Sequence, residues 1–452
     1  MSVNNEYPKA LLDLSEMCKE NYKIPPKVFA NANVKKGLRN ADGSGVVAGA
    51  TNLGLVHGYV LYEGEKRPDE GKLFYRGYDV EKLVEGYVKE NRYGFEECAF
   101  ILLFGSLPTK EQLDAFKALI SEYSTLPSGF TEDVIMRAPS PDIMNKLQSG
   151  ISALYSYDDN PEDMSLENQI RQSVQIISRL PIIAAQAYSI KKHVFDQDSL
   201  LLHRPLPGLA CAQNFMRILG QDVSFDEKEA RLLDLCLVLH AEHGGGNNST
   251  FACRVLSSSG TDIYSSIAAA VGSLKGPKHG GANKKVDQMF DCIKENVTDW
   301  NDDAQIENVL ERLLKKELGD HSGLIYGMGH AIYTISDPRA NALKKYAAEL
   351  AEEKGFTDEF NLLKKIEELS PGVFLRVTGN EKYMCANVDL YSGLIYRMLG
   401  IPKELYTPLF ASARVAGWCA HRIEEILTSS KIIRPAYKTN YFIRDYVPMS
   451  DR

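Results

Sequence analysis

The chain has 452 residues, 44% hydrophobic and 25% charged, which at roughly 100–200 residues per domain predicts a globular protein of two domains with ample length for a core. Its 60 acidic residues outnumber 52 basic ones for a net charge of −8, which argues against nucleic acid or an anionic membrane as the main partner. A small anion needs only a few local arginines and stays open as a ligand.

The N-terminus, "MSVNNEYPKALLDLSEMCKE", has no basic stretch followed by an apolar core, and it is too acidic for a mitochondrial transit peptide. No stretch approaches about 18 uninterrupted apolar residues, so no transmembrane helix is expected. The eight cysteines, from Cys18 to Cys419, include no C-x-x-C pair. Free thiols in a reducing cytoplasm are the simplest reading, with neither a zinc site nor a disulfide framework. "DGSGVVAG", residues 42–49, lacks a strand–turn–helix context and reads as a loop rather than a phosphate cradle.

Strand signals are few. Residues 57–79, "HGYVLYEGEKRPDEGKLFYRGYD", carry aromatic and β-branched runs around a turn-rich middle and predict one small hairpin. Helical periodicity dominates the rest of the chain. Ile170, Val174 and Ile177 share a face, and Pro181 is expected to kink the helix beyond them. Leu232, Leu235, Cys236 and Leu239 line another helix, stopped by "HAEHGGGNN". Ile263, Ile267, Val271 and Leu274 form a third stripe, ended by Gly276-Pro277. Asn283 reads as the N-cap of a helix carrying Val286, Met289, Phe290 and Ile293. Asp337 reads as another N-cap, with Pro338 at the first helical position. The class is mainly α, with no βαβ alternation and no internal repeat. Lys/Glu-rich helices between 291 and 370 suggest a smaller, well-solvated unit spanning 282–400, with residues 1–281 and 401–452 forming the larger one.

Four clusters have the residue types for chemistry. In "LHAEHGGGN", His240 and His243 lie at a helix end; H-x-x-H suggests metal, but H-E-x-x-H and a third nearby ligand are absent, and a polar helix terminus fits as well. In "GPKHGGAN", His279 sits in a glycine-rich loop facing a helix N-terminus, a field that disfavours imidazolium; a neutral imidazole there can donate N–H to a developing oxyanion, though a plain surface turn fits equally. In "GMGHAIYTISDPR", His330 follows two glycines and Arg339 stands in the first turn of a helix, against the dipole; it reads as a grip on a carboxylate or as a surface salt bridge with Asp337. In "ANVDLYSG", Asp389 reads as an N-cap or, in the company of the loop histidines, as a general base. Arg414 lies inside the apolar "LFASARVAGW", where an unpaired charge is costly, and Arg434 lies beside a proline in "IIRPAYK".

Taken together, these motifs resemble the citrate synthase family. "LHAEHGGGN", "GPKHGGAN", "GMGHAIYTISDPR", "ANVDLYSG", "LFASAR" and "IIRP" occur in its order and roughly its spacing, and "LFYRGYDVEKL", residues 73–83, resembles its upstream landmark. The resemblance runs from about residue 70 to the C-terminus; the first 45 residues and "YEGEKRPDEGK" are less familiar. Nothing resembles the β-rich N-terminal extension of the NADH-inhibited forms.

The resemblance implies a helical homodimer whose small domain closes over the substrates. It implies condensation of acetyl-CoA with oxaloacetate and hydrolysis of citryl-CoA, with the CoA thioester as substrate and no metal or other cofactor. By motif position, Asp389 would remove a methyl proton, His279 would hydrogen-bond the thioester oxygen, and His330 would polarise the oxaloacetate carbonyl. His243, Arg339, Arg414 and Arg434 would bind oxaloacetate, Arg434 in trans from the partner subunit. Ile325, Tyr326, Gly327, Met328 and Gly329 would meet the adenine through their backbone, with Lys278, Lys284 and Lys285 as phosphate partners. A 2-methylcitrate synthase using propionyl-CoA, a citryl-CoA lyase, a metallohydrolase on "HAEH" and a non-catalytic helical scaffold remain as alternatives.

Overall fold

The computed structural model describes residues 7–40, 43–63, 65–220, 222–381, 383–429 and 431–452. Most of them are helical, and the strands among them form one three-stranded antiparallel sheet. No helix among them is long and apolar enough to cross a membrane. The extreme N-terminus and Asp42, which opens the glycine-rich stretch, lie outside the described residues; beyond them Gly45 bridges Arg39 and the Val46 N–H donates to the Leu38 carbonyl at 2.8 Å.

The chain divides into two compact units, residues 1–49 with 433–452 and residues 50–432. In the first, helices Lys9–Asn21 and Pro26–Asn31 precede a C-terminal tail with no helix or strand before a single turn at Met449–Asp451. The Tyr441 hydroxyl donates to the Asn21 carbonyl at 2.7 Å. Leu14, Met17, Tyr437 and Phe442 in this unit are exposed, as is Arg434.

The second unit is built around the Tyr406–Thr428 helix, which is apolar on nearly every face and buried from Tyr406 to Glu425 apart from Phe410. It packs on the Phe95–Phe104, Leu166–Phe195, Glu227–His240, Asn248–Ser257 and Ile263–Lys275 helices. The stripe Ile263, Ile267, Val271, Leu274 is fully buried, as its spacing predicts. The Leu166–Phe195 helix continues through Pro181, which is buried inside it. Packing on both sides of the proline offsets its one missing hydrogen bond.

Asp337 caps the Pro338–Glu353 helix as expected, accepting from the Arg339 N–H at 3.0 Å. Asn283 does not cap. The helix starts one residue earlier, at Ala282 after Gly281, and the buried Asn283 amide donates to the Ser392 hydroxyl. A neighbouring helix offers that side chain a partner, which outweighs local capping.

The hairpin extends further than the aromatic runs indicate. Strand β1 (Gly54–Tyr62) pairs with β2 (Glu65–Tyr75), and β3 (Tyr78–Asp79) adds two residues to β2. The ladder is interrupted between His57↔Lys72 and Tyr59↔Pro68, where Gly58 stands opposite Asp69, Glu70 and Gly71.

Candidate active site

One wall of the site follows the Glu227–His240 helix. The His240 Nδ1–H donates to the Cys236 carbonyl at 2.7 Å, and burial pushes this imidazole down to about 3, so it is neutral. His243 is also buried, its Nε2 without a partner. Burial, and then the charge of Arg339, hold it well below the usual histidine range. Between them Glu242 accepts from His421 Nε2 at 2.9 Å, and His421 Nδ1 accepts from Arg254 Nε at 3.0 Å. Arg254 in turn pairs with Glu424 and Glu425. This buried chain fixes the turn that carries His243. Gly417 allows the turn to approach the long helix: a Cβ there would lie 2.4 Å from the Ala241 carbonyl oxygen and 2.5 Å from Glu242.

Arg414 is fully buried in that helix. Its Nε donates to the His240 carbonyl at 2.5 Å, its guanidinium lies 4.6 Å from the Phe410 ring centre, and neither Nη1 nor Nη2 has a partner. Burial lowers its pKa to about 10. A buried guanidinium with two unused donor nitrogens is built for an anion. Arg339 meets Asp337 through Nε at 3.0 Å and Nη2 at 2.7 Å, leaving Nη1 as its remaining edge. The Asp337 salt bridge therefore exists, but it is buried rather than at the surface. His330 Nδ1 accepts from the Ile332 and Tyr333 N–H groups at 3.1 and 3.2 Å, which puts the ring proton on Nε2. Its ring lies 5.1 Å from His243 and 4.6 Å from Tyr333.

The opposite wall carries His279 and Asp389. The Ser249 N–H donates to His279 Nε2 at 3.3 Å, so Nδ1 bears the proton. Burial, then Arg414, lowers this imidazole to about 4, and its ring lies 6.5 Å from that of Phe410. Asp389 stands in the first turn of the Val388–Met398 helix but does not cap it; Asn387 does, accepting from the Asp389 N–H at 3.0 Å. Burial raises the Asp389 carboxyl to about 6, while Arg339, Arg414 and a hydrogen bond from Asn283 act in the other direction.

The 325–329 loop is tied to this helix start. Gly329 N–H donates to the Cys385 carbonyl at 2.7 Å, Asn387 N–H to the Gly327 carbonyl at 2.8 Å, and the Asn387 amide to the Gly329 carbonyl at 2.9 Å. Gly327, at φ +82°, packs against Leu390 where a Cβ would come within 2.9 Å. His330 and Asp389 are thus anchored to each other through backbone.

The structure brings His243, His279, His330, Arg339, Asp389 and Arg414 into one cluster. Arg434 lies in the other unit. Lys278 and Lys284 are exposed, and Lys285 pairs with Asp320 at 2.9 Å beside Tyr326. Lys285, Asp320 and Tyr326 line a cavity of about 230 Å³ with Met289 and Leu324. Sequence reasoning missed Ser249, Asn387, Tyr333 and the Glu242–His421–Arg254 chain. Glu242 alone had a signal, a charged residue between two histidines at a helix end.

The family model "Citrate synthase, C-terminal domain" matches residues 42–436. A glyoxysomal citrate synthase of Cucurbita maxima is 35% identical over 85% of this chain and 72% of its own length. A citrate synthase of Haloferax volcanii is 31% identical over 93% of this chain and 100% of its own. Among solved structures, the ternary complex of carboxymethyl coenzyme A and oxaloacetate with citrate synthase from Thermoplasma acidophilum aligns with a TM-score of 0.76 at 26% identity, over 93% of this chain and 99% of that one.

Proposed function

The chain belongs to the citrate synthase family, an acyltransferase class, and from that premise we propose that it condenses acetyl-CoA with oxaloacetate and hydrolyses citryl-CoA to citrate and CoA. The observation that carries the reading is the pair of neutral imidazoles. His279 and His330 each accept backbone N–H on one ring nitrogen, which puts the ring proton on the other.

A thioester methyl is far less acidic than a protonated carboxylate, so Asp389 alone deprotonates it poorly. His279 Nδ1–H stabilises charge on the thioester oxygen as Asp389 takes the proton, a donor role that contributes about 10²–10³ in rate. His330 Nε2–H polarises the ketone of oxaloacetate. His243, Arg414 through Nη1 and Nη2, and Arg339 through Nη1 hold the two carboxylates. The 325–329 backbone and Lys278, Lys284 and Lys285 serve the CoA moiety, and no metal or further cofactor takes part. Turnover of acetyl-CoA and propionyl-CoA with oxaloacetate tests the substrate. One methylene is worth only about 1–3 kcal/mol in a pocket, so kcat/KM has to be measured for both. A preference for propionyl-CoA makes the chain a 2-methylcitrate synthase with the same residue roles.

The same proposal has residues 282–400 close on the remainder when oxaloacetate joins Arg339 to Arg414, a compaction that small-angle scattering reads with and without ligand. It also has the chain act as a homodimer with Arg434 reaching the partner's site. Asp389→Asn and Arg434→Ala, refolded together as heterodimers, should then recover towards half of wild-type activity. No recovery in verified heterodimers rules the trans role out.

A further inference from the structure

The unfamiliar "YEGEKRPDEGK" segment belongs to the hairpin, and the hairpin touches the catalytic loop at its irregularity. Of the residues unmatched at the bulge, Gly58, Asp69, Glu70 and Gly71, each bonds to Thr334 or Ser336. Thr334 Oγ1 donates to the Gly58 carbonyl and accepts from the Asp69 N–H at 3.2 Å. Ser336 Oγ accepts from the Gly71 N–H at 3.1 Å and donates to Glu70. Both glycines permit backbone contact. A Cβ on Gly58 would lie 2.6 Å from Tyr333 Cα, and one on Gly71 would lie 2.0 Å from the Ser336 carbonyl oxygen. The bulge itself is tied by His57 Nε2 to Asp69 Oδ2 at 2.7 Å. On the far side of the same loop, the Ile332 and Tyr333 amides hold His330 Nδ1, and the Tyr333 ring packs on His330 and His243.

We propose that the bulged β1–β2 hairpin orients the ketone-polarising His330, with Gly58, Gly71 and Thr334 as positioning residues that touch no substrate. The inference rests on the function proposed above. Bulges recur next to active sites because they bend a strand locally and present backbone where a regular ladder cannot. Here the bulge supplies the Gly58 carbonyl and the Asp69 and Gly71 amides as partners to a loop whose own amides fix the catalytic tautomer. Loss of those partners frees the loop to shift, and a displacement of about 1 Å can cost about 10²-fold in rate.

The test uses the full chain with Thr334→Val, Thr334→Ser and Gly71→Ala. Readouts are kcat, the dissociation constant of oxaloacetate, and the carbonyl stretch of bound oxaloacetate labelled with ¹³C at the ketone. Thr334→Val should lower kcat about tenfold and Gly71→Ala about 10²-fold. Oxaloacetate binding should stay within about threefold, because the arginines are untouched. The ketone band should move towards its position in free oxaloacetate, and Thr334→Ser should restore both kcat and the band. An unchanged band in folded Thr334→Val, or a loss wholly explained by weaker oxaloacetate binding, overturns the proposal. Failure of the wild-type chain to form citrate or methylcitrate would instead overturn the function on which it rests.

Discussion

On the side proposed to hold oxaloacetate the charged groups are buried, and each is held by another buried group: Arg339 by Asp337, Glu242 by His421, Arg414 by the His240 carbonyl. On the side proposed to meet CoA the cations are Lys278 and Lys284, both exposed, and Lys285, engaged by Asp320. The first arrangement stores an unmet demand for anion in a fixed geometry, because Arg414 has two guanidinium nitrogens with no partner. The second offers mobile charge in water. Directional recognition of a small dianion needs the former, while a long, flexible, polyanionic cofactor tail is served by the latter. His279 and Asp389, both within reach of the Arg414 charge, carry the proposed proton transfer, and the sharpest effects are expected there.

Asp389→Asn and His279→Ala should each lower kcat by about 10²-fold or more, since base and oxyanion donor act in one step. Steady-state assay with circular dichroism as the folding control checks this. Near-normal turnover in either folded variant breaks the assignment.

Arg414→Met separates the two sides. Removing one partner of a buried charge contact costs about 2–5 kcal/mol in binding, so kcat/KM for oxaloacetate should fall at least about 30-fold while KM for acetyl-CoA changes little. Without ligand the same variant should melt higher, because a buried guanidinium with two unpartnered nitrogens gives way to an apolar side chain of similar volume. A lower melting temperature would mean that Arg414 is already compensated in the free protein.

The acid limb of the pH profile sharpens the reading of Asp389. Its carboxyl is raised to about 6, and the base acts only when ionised. kcat/KM for acetyl-CoA should therefore be flat above pH 7 and fall about tenfold per unit below pH 6. His279, lowered to about 4, stays neutral across that range and adds no second limb. Asn283→Ala removes a hydrogen bond that favours the charged carboxylate, so it should move the limb to higher pH.

The same contrast governs what the sequence made legible. His243, His279, His330, Arg339, Asp389 and Arg414 stand in glycine- or proline-marked motifs, and their costly placements point to use. The helical class followed from stripes such as Ile263, Ile267, Val271 and Leu274, which period 3.6 places on one face. The partners that hold the site were hidden because they come from distant segments. Ser249 reaches His279 across thirty positions, and His421 reaches Glu242 across 179. Asn283 misled for the same reason, since Ser392 on another helix claims its amide. The Asp337–Arg339 pair was visible in sequence, but its burial was not.

The smallest effect should come from the lysines. Lys278→Ala and Lys284→Ala each remove an exposed charge, and exposed ion contacts contribute about 0.2–1 kcal/mol, so KM for acetyl-CoA should rise by no more than about fivefold with kcat unchanged. Lys285→Ala also takes the counterion from Asp320, which keeps its bonds from the Tyr326 hydroxyl and the Ser322 N–H, so the proposed phosphate site would gain an uncompensated carboxylate charge. It should therefore raise KM more than either exposed lysine does, and Asp320→Asn in the same chain should recover most of that loss. All of these shifts should shrink between about 0.05 and 0.5 M salt, because charges in water are screened over about 10 Å at 0.1 M and over less as salt rises. The Arg414→Met loss should persist across the same range, since its charge is buried away from the salt. A lysine effect that resists salt would place these side chains in a closed pocket and erase the difference between the two sides.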